Sequence, residues 1–165
     1  MDIPLRASLR YASTKVKGEF TMTAEALWKK SGLSGSYEAW SFGGDPDGLA
    51  ALVAARIKAA TSSAYDVYAI DGEPLPHVGE YSVILNSADE AVCIIRTTAV
   101  YIVPFDRVSA RHAFLEGEGD RSLAYWQSLH RAFFTGEMSA AGLSFSEQMQ
   151  VVCEEFVLIM QAPDM

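Results

Sequence analysis

The feature that most restricts the fold is a long β-branched run, Ala91–Val103, which holds Val92, Ile94, Ile95, Thr97, Thr98, Val100, Ile102 and Val103. Side chains branched at Cβ are stiff and crowd a helix but pack well on a pleated surface, so the run predicts a strand. Pro104 ends it, because proline lacks the N–H that a strand ladder needs. Tyr81–Leu85, separated from it by the turn-like Asn86–Glu90, reads as a strand, as does Met149–Met160 near the end of the chain. Ala64–Ile70 reads as another, followed by a connection through Gly72-Glu73-Pro74 and Pro76.

Helices fall between these strands. Thr23 is placed to cap a short helix to about Lys30, with Ala24, Leu27 and Trp28 on one face. Asp45 followed by Pro46 is a strong start signal, since aspartate caps and proline suits the first helical position. Leu49, Leu52, Val53 and Ile57 then recur at helical spacing, so this helix is expected to end near Arg56–Lys58. Ser109 suits the cap of a short helix to about Glu116. Asp120 is read as the cap of a longer one, with Leu123, Trp126, Leu129 and Phe133 on one face. Strands and helices are mixed without βαβ alternation. That pattern favours an α+β fold, with a mostly antiparallel sheet able to curl into a barrel.

Composition bounds the function. Net charge is −8, which argues against tight, non-specific binding to a phosphate backbone. Residues 1–20 carry Arg6, Arg10, Lys15 and Lys17 against Asp2 and Glu19, a net of +2, which leaves −10 for the rest. Residues 1–21 therefore read as a basic, flexible N-terminal segment, or a leader before a start at Met22, and residues 22–165 as a single domain. No apolar run reaches the roughly 18–20 residues of a membrane helix, and no apolar signal core is present at the N-terminus. Cys93 and Cys153 sit in apolar runs without zinc-like spacing, so they read as buried free thiols in a reducing, cytoplasmic compartment.

Three groups of residues offer chemistry. Lys58 and Thr61 are three apart at the junction of a helix and a strand; a desolvated lysine near a hydroxyl can make that hydroxyl a nucleophile. Its competing reading is a lysine that favours a helix dipole beside an ordinary polar turn, Thr61-Ser62-Ser63. Glu116, Glu118 and Asp120 could gather a hard cation such as Mg²⁺, or supply a general acid or base; equally, they could be acids favoured ahead of a helix. Gly43-Gly44 before a helix could present amides to a phosphate, but Asp45 and Asp47 would repel it. Trp40, Phe42, Tyr125 and Trp126 could stack a base. Trp40 and Phe42, in a loop, are the better candidates for a cleft wall, whereas Trp126 lies on a buried stripe. His130 follows Trp126 by four; His77 and His112 give no signal.

A set of spaced elements resembles the bacterial branch of the ASCH domain family. They are Trp40-Ser-Phe42-Gly43, Lys58-Ala-Ala-Thr61, Pro74-Leu-Pro76-His-Val-Gly79, Cys93-Ile-Ile-Arg96-Thr-Thr-Ala-Val100 and Val103-Pro104-Phe105. Glu116-Gly-Glu-Gly-Asp120-Arg-Ser122, Tyr125-Trp126, His130 through Phe134, and Val151-Val152-Cys153-Glu154 complete the set. The resemblance implies a PUA-like, mostly antiparallel β-barrel flanked by helices, with a cleft for RNA or a nucleoside. Some members use a Lys, a Thr three residues later and a later Glu to remove the acetyl group of N4-acetylcytidine; others are metal-dependent ribonucleases, and others only bind. Carried over, the hydrolytic positions are Lys58 as base, Thr61 as nucleophile and Glu116 as proton carrier. Trp40, Phe42, Ser62 and His130 then stand as substrate-binding candidates. The chain departs from the broader pattern at Arg56, Thr61 and Ser63, where many members have glycine, an acid and arginine.

The resulting expectation is an RNA- or nucleoside-binding domain, with amide hydrolysis by Lys58, Thr61 and Glu116. The alternatives are a nuclease using Mg²⁺ on Glu116, Glu118 and Asp120, or a non-catalytic module. Outside the nuclease reading no cofactor is expected. The expected partner is a nucleoside or short single-stranded RNA, with no membrane and no stable protein partner implied. Lys58, Thr61 and Glu116 are expected to converge in space.

Overall fold

The structure, a computed structural model, describes residues 21–164. The expectations for residues 1–20 fall outside it. In chain order the elements are α1 (Ala24–Ser31), β1 (Glu38–Trp40), α2 (Pro46–Ala54), β2 (Ala60–Ala64), α3 (Tyr65–Asp71), β3 (Tyr81–Leu85), β4 (Ala91–Pro104), α4 (Ala110–Glu116), α5 (Leu123–Ala140) and β5 (Gln150–Gln161), with a 3₁₀ turn at Phe105–Arg107.

The β-branched run is the spine. β4 pairs antiparallel with β3 through its first half and with β5 along its length. The sheet order is β1-β3-β4-β5-β2, with β2 antiparallel to β5 and only the short β1 parallel to its neighbour. Register shifts between Ile94/Ile95 and Thr97/Ala99 mark bulges, which increase local twist and bend the strand. The result is the expected α+β class with a mostly antiparallel curled sheet; it closes half a barrel.

Local signals explain most element ends. Thr23 Oγ1 accepts from Ala26 N at 3.0 Å, and Asp45 Oδ1 accepts from Gly48 N at 2.9 Å. Four boundaries depart from expectation. α2 stops at Ala54, short of Arg56–Lys58, because Arg56 takes a left-handed φ of 62° that no helix continues. β2 occupies the polar Ala60–Ala64, and the residues read as a strand from Tyr65 onward form α3 instead. Val67 and Tyr68 are buried while Asp66, Ala69 and Ile70 are exposed, a helical pattern rather than a period of two. Ser122, not Asp120, caps α5 by accepting from Tyr125 N, and Asp120 accepts from Ser122 N instead. β1 carried too few residues to be read from periodicity.

Apolar side chains cluster on both sheet faces. Phe105, Trp126, Phe134 and Val151 pack beneath α4 and α5; Trp40, Phe42, Leu49, Val53 and Phe156 pack with α2. Cys93 and Cys153 are buried free thiols, and burial pushes Cys93 up to about 12. Among the described residues no helix is long and apolar enough to cross a membrane.

Candidate functional site

The site forms where the end of α4 meets the segment entering β2. Ala59 N donates to Leu115 O at 2.7 Å, which ties the two backbones together. Gly117 follows α4 with φ 76°, and a Cβ there would lie 2.6 Å from Ile57 O, so only glycine allows this approach. Arg121 reinforces the junction, donating to Phe114 O at 3.0 Å and Ile57 O at 3.3 Å while its guanidinium covers the Phe114 ring.

This packing brings Lys58 onto Glu116. Lys58 Nζ donates to Glu116 Oε1 at 3.3 Å, to the Glu116 carbonyl at 3.4 Å and to Glu118 Oε1 at 3.4 Å. The ammonium is buried and stands 5.2 Å from the centre of the Phe42 ring. Glu116 Oε2 accepts from Ser62 Oγ at 2.9 Å and from Trp126 Nε1. His112 Nε2 and His130 Nε2 each lie 3.4 Å from the same oxygen. Ser62 Oγ also lies in hydrogen-bond contact with His112 Nε2 at 2.7 Å, and Tyr101 Oη with His112 Nδ1 at 3.3 Å. His130 Nδ1 donates to the Trp126 carbonyl at 2.9 Å, and its ring stacks on the indole at 4.3 Å.

Burial alone would push the Glu116 carboxyl up. The attraction of His130 and Lys58, with the hydrogen bond and charge of His112, outweighs it and holds the group well below the usual carboxylate range. Glu116 is thus a fixed, fully engaged anion. A cleft of about 520 Å³ opens beside it, with Gly43, Gly44, Asp45, Leu49 and Leu52 in its lining on the α2 side and Tyr125, Leu129 and Phe133 on α5. Glu118 and His130 belong both to the cleft lining and to the buried cluster.

Lys58, Glu116, Ser62 and His130 therefore meet. Thr61 does not join them. Adjacent strand residues point to opposite faces, and Ser62 is the one that faces Glu116. Thr61 stands opposite Glu154 in the ladder, and its buried hydroxyl has no hydrogen-bond partner among the described residues. Trp40 and Phe42 do not form the cleft wall: both are buried with α2, packed edge to face at 4.9 Å. Tyr125, 41% exposed, and the half-buried Phe133 are the aromatics in the cleft lining. The carboxylate cluster also regroups. One ligand atom each from Glu116, Glu118 and His130 lie within 4.8 Å of one another, whereas exposed Asp120 is turned to Ser122. His112 was missed, although its position four residues before Glu116 on α4 puts both on one helix face.

An α+β half-barrel with a buried lysine–carboxylate cluster beside an open cleft defines the class. The ASCH domain family matches residues 38–160. An ASCH domain from Lactobacillus crispatus JV V101 is similar at 32% identity and a TM-score of 0.78, over 83% of this chain and 94% of that one. A protein from Enterococcus faecalis V583 is similar at 34% identity and a TM-score of 0.74, over 83% and 85%. The chain belongs to the ASCH domain family. None of the curated proteins matches it.

Proposed function

We propose that the cleft binds the base of a nucleoside or unpaired RNA residue, and that Glu118 directs hydrolysis of an acyl amide on that base. The observation that carries this reading is Glu118 itself. It belongs to a cleft that also offers the Tyr125 ring, while Lys58 fixes its position from beneath. The volume falls in the range of about 300–1,000 Å³ common to small-molecule sites, and an aromatic face suits any base.

In this mechanism the base lies against Tyr125 and its acyl carbonyl sits beside Glu118. Glu118 accepts a proton from water as the water oxygen bonds to the carbonyl carbon. The proton passes to the amide nitrogen as the carbon–nitrogen bond breaks, releasing a carboxylic acid and the free amine. Glu116 orients Lys58 and His130. An attacking water takes the place of Thr61, whose hydroxyl has no hydrogen bond to Lys58. Acetate release from N4-acetylcytidine tests this. Glu118→Gln is expected to lose about a hundredfold or more in kcat/KM, with Thr61→Ala within a few fold of wild type. Loss in Thr61→Ala with retention in Glu118→Gln would instead establish an acyl-enzyme route. A reducing, cytoplasmic setting suits the two buried thiols.

A metal-dependent ribonuclease is the second reading, favoured by the grouping of Glu116, Glu118 and His130. Its weakness is that the Lys58 ammonium already stands 3.3–3.4 Å from both carboxylates, where a cation would bind. Activity on single-stranded RNA that a chelator abolishes, and that Glu116→Gln lacks, is the outcome this reading requires.

A further inference from the structure

We infer that the cleft selects neutral nucleosides and rejects their phosphorylated forms; this rests on the nucleobase reading above and narrows it. Three observations carry it. First, the positions that usually hold a phosphate are already satisfied. A helix N-terminus attracts anions through its free amides, and the start of α2 opens onto the cleft. Asp45 supplies that anion internally: Oδ1 accepts from Gly48 N, and its carboxylate lies so close that a Cβ on Gly48 would stand 2.1 Å from Oδ2.

Second, among the described residues no lysine or arginine lines the cleft. Lys58, the closest in the network, is buried and committed to Glu116 and Glu118. Arg121 is turned to backbone carbonyls and the Phe114 ring. Third, the lining carries Asp45 and Glu118, so the field a ligand meets is set by carboxylates, with His130 between Glu116 and the opening. A 5′-phosphate brought among them meets two carboxylates, and His130, the one described group in the lining able to carry positive charge, already has both ring nitrogens turned to Glu116 and the Trp126 carbonyl. A neutral base with N–H groups gains acceptors from the same side chains.

The test measures binding by the wild-type chain of three probes: N4-acetylcytidine, its 5′-monophosphate, and a short unpaired RNA containing the same base. The nucleoside is expected to bind at least about tenfold more tightly than the monophosphate, with the gap narrowing as salt rises. Asp45→Asn keeps the cap, since asparagine caps as well as aspartate, but removes the charge. It is expected to close the gap by several fold, read as tighter binding of the monophosphate. Equal or tighter binding of the monophosphate or the RNA overturns the inference and leaves the nucleobase reading standing. A gap that Asp45→Asn leaves unchanged also overturns it, because the discrimination then has another origin. Absence of binding by all three overturns both.

Discussion

Two buried glutamates on neighbouring helices meet opposite fates. Glu116 is surrounded by donors and held well below the usual carboxylate range despite complete burial. Glu137, on α5, is 5% exposed, its Oε2 has no hydrogen-bond partner, and burial, with the nearby Asp71, pushes its pKa up to about 7. The sign of the consequence follows from linkage. Between about 4.5, its value in the unfolded chain, and about 7 the folded protein keeps a proton that the unfolded chain has released, so stability falls as pH rises through that window and is flat above it. The loss has a ceiling of roughly 3 kcal/mol. Glu137→Gln is expected to be more stable than wild type at pH 8 and nearly equal to it at pH 4; urea unfolding at both values measures the difference. Equal stability at pH 8 would show that the wild-type carboxylate is solvated. At this scale the sequence was informative where resemblance marked Lys58 and Glu116. His112 shares a helix face with Glu116 by its spacing of four, but Tyr101 reaches the site only through a hydrogen-bond chain between separate elements, which leaves no spacing signature. The sequence misplaced Thr61 by one residue, which in a strand means the opposite face.

The junction between α4 and the segment before β2 assembles the site more than any single side chain does. Gly117 decides its closeness. Gly117→Ala would put a Cβ against the Ile57 carbonyl in a backbone conformation that alanine disfavours, so the loop carrying Glu118 must lift. The expected cost is about 2–4 kcal/mol, measured by thermal unfolding. Greater protease sensitivity of the loop at residues 117–121 is expected with it; unchanged melting would show that the loop adapts freely. Element starts were largely legible, since Asp45-Pro46, Thr23 and Ser109 act through local capping. β2 was not, because Ala60-Thr-Ser-Ser-Ala64 has the composition of a turn and becomes a strand only by pairing with β5. α3 failed for the converse reason: Tyr65, Val67 and Tyr68 suit a strand locally, and tertiary burial of one helical face decides otherwise.

For the whole molecule, the β-branched run was enough to set the class, because a strand of that length has to be the spine of a sheet. Closure was beyond local pattern, since it depends on bulges and on how far β1 and β2 approach. The sheet order leaves these two as its free margins. Gly43 and Gly44 follow β1 closely, and Lys58, which holds Glu118, lies just before β2. The cleft is therefore lined by an extension of one margin and by Glu118, which an extension of the other holds in place. A ligand seated there would act as a rivet across the seam of the half-barrel. Amide hydrogens near Trp40 and near Thr61, far apart in the chain and at opposite ends of the sheet, are then expected to slow their exchange with solvent together on adding nucleoside, by a common factor. Protection on one margin alone would show that the seam stays open.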